Sequence, residues 1–380
     1  MEFDLGHWLP EFPVREEHLY LDHAAVSPLP RPVAAAMRQR IEEKERSGHL
    51  SWDRWMGEVL TCRHLGARLV GCTEEDISLV PSTSQGLSFI AEGLGLGAGD
   101  EVLVGSEEFA ANAAPWLNLQ RLGVRVIRYP QPGGRVDPGE VARHMGSSTR
   151  VLAVSWVAFH TGWIAPLAQL AGLCRDRGIL LVVDAIQGLG ILPMDMRRLG
   201  VDAVVAAAHT WLLGPEGIAL LATMPELRDR LRPVVTGWRN VEVAPMDHTL
   251  ARLELLADGR RFEPGSFNGV GVSGLAAALD LLVSVGLDVV QARVEFLHRL
   301  LARVLIAHGW EVLSPGPGQP VAGIVAARHP SIPARDVVSR LAERHIVCTV
   351  RQGLVRLSPH FYVTRGEIEA FDRILAKAGL

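Results

Sequence analysis

Between about residue 70 and residue 225 the chain alternates short apolar, β-branched runs with stretches of helical period, and this alternation restricts the fold more than any other feature. The runs are DISLV (76–80), EVLVG (101–105), VRVIRY (124–129), RVLAVSWV (150–157), ILLVVDA (179–185), DAVVAA (202–207) and GIALLAT (217–223). Helical patterns such as SQGLSFIAEGLGL and PLAQLAGLCRDRG lie between them. A strand that is apolar along its whole length is buried on both faces, and crossover helices are what bury parallel strands. The expected fold is therefore α/β, with a mainly parallel sheet whose ligands sit beyond the carboxyl ends of the strands. After Pro225 the pattern changes: a polar, irregular stretch holds GWRNVEVAPMDHTL and RRFEPGSFNGVG, a long helix begins near Ser273, and an α+β tail follows.

With 48% apolar and 21% charged residues the chain has ordinary globular composition, which excludes a disordered or collagen-like chain. A net charge of −4 offers nothing to nucleic acid or to an anionic membrane surface. Val151 to Cys174 carries no charged residue, but Ser155, His160, Thr161, Gly162, Pro166 and Gln169 divide it into a strand, a turn and a helix beginning near Pro166, so no membrane span is expected. The opening residues lack the basic end and apolar run of a signal peptide, and a cytoplasmic protein is expected. Cys62, Cys72, Cys174 and Cys348 form no C-x-x-C pair and read as buried small hydrophobes. No P-loop, zincin, other metal-site or nucleophile-elbow motif occurs. Only two lysines, Lys44 and Lys377, are present, so chemistry that needs a lysine amine has two candidates.

Three strand-end loops stand out. STSQG (82–86) opens a helix with hydroxyls and free backbone N–H groups where a phosphate can bind, although the same residues serve as a plain N-cap. Asp184 ends an apolar strand, where a carboxylate needs a partner or caps a turn, and Gln187 follows three residues later. AAAHTWLLGPEG sets His209, Thr210 and Trp211 before a Gly/Pro turn, a place where a histidine is often structural.

Together YLDHAAVSPLP, STSQG, EEFAANAAPW, VDAIQGLG, HTWLLGPEG, RFEPGSFN and VRLSPHFYVT resemble the class V aminotransferases in order and spacing, from about His18 to the end of the chain. These are fold-type I pyridoxal-phosphate (PLP) enzymes that include cysteine desulfurases, kynureninase-like lyases and isopenicillin-epimerase-like proteins. The resemblance implies a seven-stranded large domain over residues 21–272, a small α+β domain from 1–20 and 273–380, and a homodimer with sites at the interface. It implies that Asp184 pairs with the pyridine nitrogen, Gln187 lies near the phenolic oxygen, and Phe109 stacks on the ring. Thr83, Ser84 and His209 would hold the phosphate, which Ser266 would reach from the neighbouring subunit. Arg356 would bind the α-carboxylate of an amino-acid-like ligand.

The departures carry as much weight. Where the family has the lysine that bonds to PLP, this chain has Thr210, and Lys44 and Lys377 lie in segments expected to face solvent. Ala207 stands where desulfurases carry a phosphate-binding serine, and Ala158 or Phe159 where an Asn or Gln contacts the ring oxygen. Only QGLV separates Arg351 from Arg356, leaving no loop for a desulfurase's catalytic cysteine, which argues against that activity. The expectation is a protein that binds PLP or pyridoxamine phosphate noncovalently, with atypical or lost catalysis. His209 is then the nearest candidate base, as in sugar dehydratases of this fold that replace the lysine with histidine. The alternative is a non-catalytic partner that keeps only the fold.

Overall fold

A computed structural model of the protein describes residues 6–242 and 252–380; residues 1–5 of the expected small domain and 243–251 of the polar stretch after Pro225 lie outside the described residues. A two-residue strand, β1 (Leu19–Tyr20), precedes the seven apolar runs, which form β2 (Ile77–Val80), β3 (Glu101–Gly105), β4 (Arg125–Tyr129), β5 (Thr149–Ser155), β6 (Leu180–Asp184), β7 (Ala203–Ala207) and β8 (Ala219–Thr223). All seven join one sheet in the order β2-β8-β7-β6-β5-β3-β4. Five strands are mutually parallel from β7 to β4, while β8 runs antiparallel to both β7 and β2. Every residue of β2, β6, β7 and β8 is buried, whereas the edge strand β4 exposes Arg125 and Arg128, charges that discourage further strand pairing.

The helix expected from Ser273 begins at Gly269, capped by Asn268, whose side chain accepts from the Gly271 N–H. It packs on helices Arg31–Ser47 and Trp52–Val70, and the division expected after residue 272 falls inside it. At Gly286 (φ 92°) the chain bends by 81° into helix Leu287–Ala307. Among the described residues no single helix is long and apolar enough to cross a membrane.

The C-terminal region adds β9 (Glu311–Val312), β10 (Val325–Arg328), β11 (Ile346–Val347), β12 (Thr349–Arg351) and β13 (Leu354–Leu357). Four of these form an antiparallel sheet, β12-β13-β10-β9, covered by helices Leu287–Ala307 and Ala334–Ala342, and helix Arg365–Ala378 packs on the first of these. β1 lies parallel to β11, and Asp22 bridges to Ser358, so the N-terminal segment runs along the C-terminal sheets. Cys62, Cys174 and Cys348 are buried, but Cys72, two residues past helix Trp52–Val70, is only half-buried.

Candidate active site

Three adjacent parallel strands end at one place. Ser155 closes β5 and is paired in register with Asp184, which closes β6; β7 ends at Ala207 and delivers His209 and Thr210 just beyond. Helix Thr83–Gly93 arrives at the same edge. A side chain at Gly86 would lie 2.7 Å from Val205 Cγ1, so the glycine lets the helix lie against β7. Thr83 Oγ1 then accepts from the Ala207 N–H (3.1 Å), which leaves the hydroxyl proton free to donate.

These ends line one narrow cleft of about 120 Å³. Thr83, Phe109, Asp184, Gln187, His209, Thr210 and Arg356 all line it. Ser84 does not: one residue further round the helix than Thr83, it points to solvent. Ser266 is exposed too, on a separate groove that it shares with Ile41, Lys44, Trp52 and Arg239. No lysine lines the cleft, and both Lys44 and Lys377 are exposed.

Asp184 is 2% exposed. The Ile186 N–H donates to its Oδ1 (3.0 Å), and no cationic side chain lies within ion-pair distance among the described residues. Burial pushes its carboxyl up to about 7, the Ile186 N–H opposes this, and the nearby Glu108 raises it further. Glu108 accepts from the Ser155 N–H (2.9 Å), the Ser155 hydroxyl and Asn112 Nδ2 (3.1 Å). Burial lowers the His209 pKa, and its Nδ1 is buried without a partner. Thr210, 1% exposed, turns its hydroxyl onto the Ile186 carbonyl (2.9 Å), and its own carbonyl accepts from Ser27 Oγ (2.5 Å). The Gln187 amide is committed at both ends, Nε2 to the Ala24 carbonyl (2.9 Å) and Oε1 from Trp211 Nε1 (2.8 Å). Phe109 is half-exposed at the mouth and meets Phe159 edge-on at 5.1 Å.

At the other end, Arg356 is 1% exposed. Its Nη2 donates to Asp22 Oδ1 (3.1 Å) and its Nη1 to the Phe159 carbonyl (2.8 Å), while its Nε has no partner. Arg351 lines the cleft beside it and, among the described residues, bonds within its own strand, to Thr349 Oγ1 and the Val350 carbonyl. Sequence reasoning assigned no role to Asp22, Arg351, Glu108 or Ser155. Asp22 sits inside the quoted YLDHAA segment, but its partner lies 334 residues away and nothing local signals it.

These donors match the cofactor of the resembled family. A buried carboxyl without a cation suits a pyridine N–H, and a free hydroxyl, an orphaned histidine nitrogen and a helix start suit a phosphate. The family described as aminotransferase class-V matches residues 19–371. A probable cysteine desulfurase of Methanothermobacter thermautotrophicus is 27% identical over 96% of each chain. The apo structure of a cysteine desulfurase from Thermococcus onnurineus superimposes with a TM-score of 0.89 at 25% identity, covering 100% of this chain and 99% of that one. A variant of the protein C-DES, with glycine covalently linked to its PLP cofactor, shares the fold at a TM-score of 0.90 and 23% identity over 99% of both chains. The chain belongs to the class V aminotransferase family and has the fold-type I architecture of PLP-dependent proteins.

Proposed function

We propose that the chain holds PLP or pyridoxamine phosphate noncovalently in this cleft together with an amino-acid-like ligand, and that its catalysis is atypical or lost. The observation that carries the reading is Asp184, a buried carboxyl without a cationic partner at the centre of a cleft that no lysine lines. Asp184 would hold the ring nitrogen, Phe109 a ring face, Thr83 and His209 the phosphate, and Arg356 the ligand carboxylate. When bound, the ring acts as an electron sink for the α-carbon of an amino acid. Burial lowers the His209 pKa and so favours the neutral imidazole, in which one ring nitrogen can donate to the phosphate while the other accepts a proton. Thr210 offers no amine, and its hydroxyl is held by the Ile186 carbonyl.

A second reading, a non-catalytic partner subunit, draws support from Ser266. It stands away from its own cleft on a groove edged by the exposed side chains of Ile41 and Trp52, as a residue lent to a second copy or a paralogue would.

Titration with PLP separates the two. Saturable binding that keeps the free-aldehyde absorbance, with no borohydride-reducible adduct, is expected of the parent. Thr210→Lys should then create an adduct located at residue 210 by mass spectrometry, because proximity in an aligned pocket raises the effective concentration of the new amine. No binding by the folded parent, and no adduct in a folded Thr210→Lys, would leave the non-catalytic reading.

A further inference from the structure

Arg356 is not an open receptor for a carboxylate. A carboxylate is best held by two parallel N–H donors of a guanidinium, and here Nη2 is occupied by Asp22 Oδ1 (3.1 Å) and Nη1 by the Phe159 carbonyl. Each Nη keeps a second N–H, but Nε is buried and unpartnered, and the nitrogen with which it forms a side-on fork, Nη2, is the one Asp22 already holds. Asp22 holds Arg356 through one oxygen, so the pair is single-toothed, and a ligand carboxylate forking onto Nε and Nη2 meets Asp22 at the shared nitrogen. The charged groups facing Asp22 are Arg356 and Arg351 from β13 and β12; the titratable neutral groups are Tyr20 on its own segment and Cys348 between β11 and β12, both pushed up to about 12 chiefly by burial.

We propose that Asp22 is the resident counter-ion of Arg356, which a ligand carboxylate displaces, so that Asp22 sets how tightly the cleft binds acids. This rests on the reading of Arg356 as the carboxylate-binding group. Once the ligand takes Arg356, Asp22 loses that hydrogen bond and shares the Arg356 charge with a second carboxylate, with Arg351 the other cation beside it, and it takes up a proton from solvent. Binding of a carboxylate ligand is therefore coupled to proton uptake, while a ligand without a carboxylate leaves Asp22 in place.

Two probes isolate the effect: phosphopyridoxyl-L-alanine, a stable amine joining the cofactor skeleton to an α-carboxylate, and pyridoxamine phosphate, which lacks the carboxylate. Calorimetric titration of the parent in buffers of different ionisation enthalpy should show proton uptake with the first probe and less with the second. Asp22→Asn removes the competitor and leaves Arg356 without a charge partner, so it should bind phosphopyridoxyl-L-alanine about tenfold more tightly, with no such excess uptake and no matching gain for pyridoxamine phosphate. Equal or weaker binding of phosphopyridoxyl-L-alanine by a folded Asp22→Asn would overturn the proposal and make Asp22 a support that positions Arg356. So would equal proton uptake with both probes by the parent, which decides the matter if the variant does not fold. Failure of the parent to bind either probe would instead remove the cofactor reading, and this inference with it.

Discussion

Two buried charges of the cleft are handled in opposite ways. Arg356 has Asp22 at 3.1 Å, whereas Asp184 has a backbone N–H and a like-charged neighbour in Glu108. Without a ligand, Asp184 is therefore a liability to the fold once ionised. Its folded pKa, about 7, stands above the ordinary 3.8, so the folded state holds the proton more tightly. The sign follows: its stabilising contribution is complete below the ordinary value and is lost as pH rises through about 7. A shift of that size corresponds to at most about 4 kcal/mol. Asp184→Asn keeps the shape and removes the charge. It should raise the thermal midpoint of the ligand-free protein at pH 8, change it little at pH 5, and weaken pyridoxamine phosphate binding about tenfold or more. Scanning calorimetry at the two pH values checks the first part, and an equal midpoint shift at both would show that Asp184 is not the group whose ionisation destabilises the fold.

The turn between β12 and β13 decides where Arg351 and Arg356 sit. Gln352 (φ 48°) and Gly353 (φ 77°) are both left-handed, the two-residue hairpin turn that matches strand twist, and Arg351 pairs with Leu354 across it. Gly353→Ala forces a Cβ into that conformation and should cost about 1–2 kcal/mol, whereas Gln352→Asn should stabilise slightly because asparagine tolerates it. Urea midpoints moving in opposite directions at unchanged slope would bear this out; a shift of the same sign in both would show that the turn relaxes to another form. The hairpin also shows where sequence reading succeeds. β6 and β7 were legible because their apolar runs are buried end to end, and Asp184 and His209 stood out because the one closes and the other closely follows such a run. The reversed direction of β8 was hidden for the same reason: ALLAT is buried on both faces, so it looks like its parallel neighbours. Two-residue β9 is too short for any period to register, and the glycines of GVGVSG masked the first turn of the helix at Gly269. Ser84 and Thr83 looked equivalent as hydroxyls, and only the helix's rotation against β7 distinguishes them.

On the scale of the molecule, residues 19–27 act as a clasp. β1 lies on β11, His23 donates from Nδ1 to the Ser358 carbonyl (2.8 Å) and accepts from the Tyr362 hydroxyl at Nε2 (2.7 Å), and the Ser27 N–H donates to the His209 carbonyl (2.7 Å). One short segment thus joins the C-terminal sheet to the loop that carries His209 and Thr210. Ser266 does not line the cleft; it opens onto a groove of about 1310 Å³ including open solvent, where Ile41 is 54% and Trp52 46% exposed. Large apolar side chains gathered around one concave surface mark an association face. If a second copy covers it, sedimentation at micromolar concentration should give a dimer. Ile41→Glu combined with Trp52→Glu should then give a folded monomer, because two carboxylates buried without partners are costly. If Ser266 also reaches the partner's phosphate site, the monomer and Ser266→Ala should both bind pyridoxamine phosphate more weakly than the parent. A monomer with undiminished affinity would leave each cleft complete within its own chain and deprive Ser266 of its role across the interface.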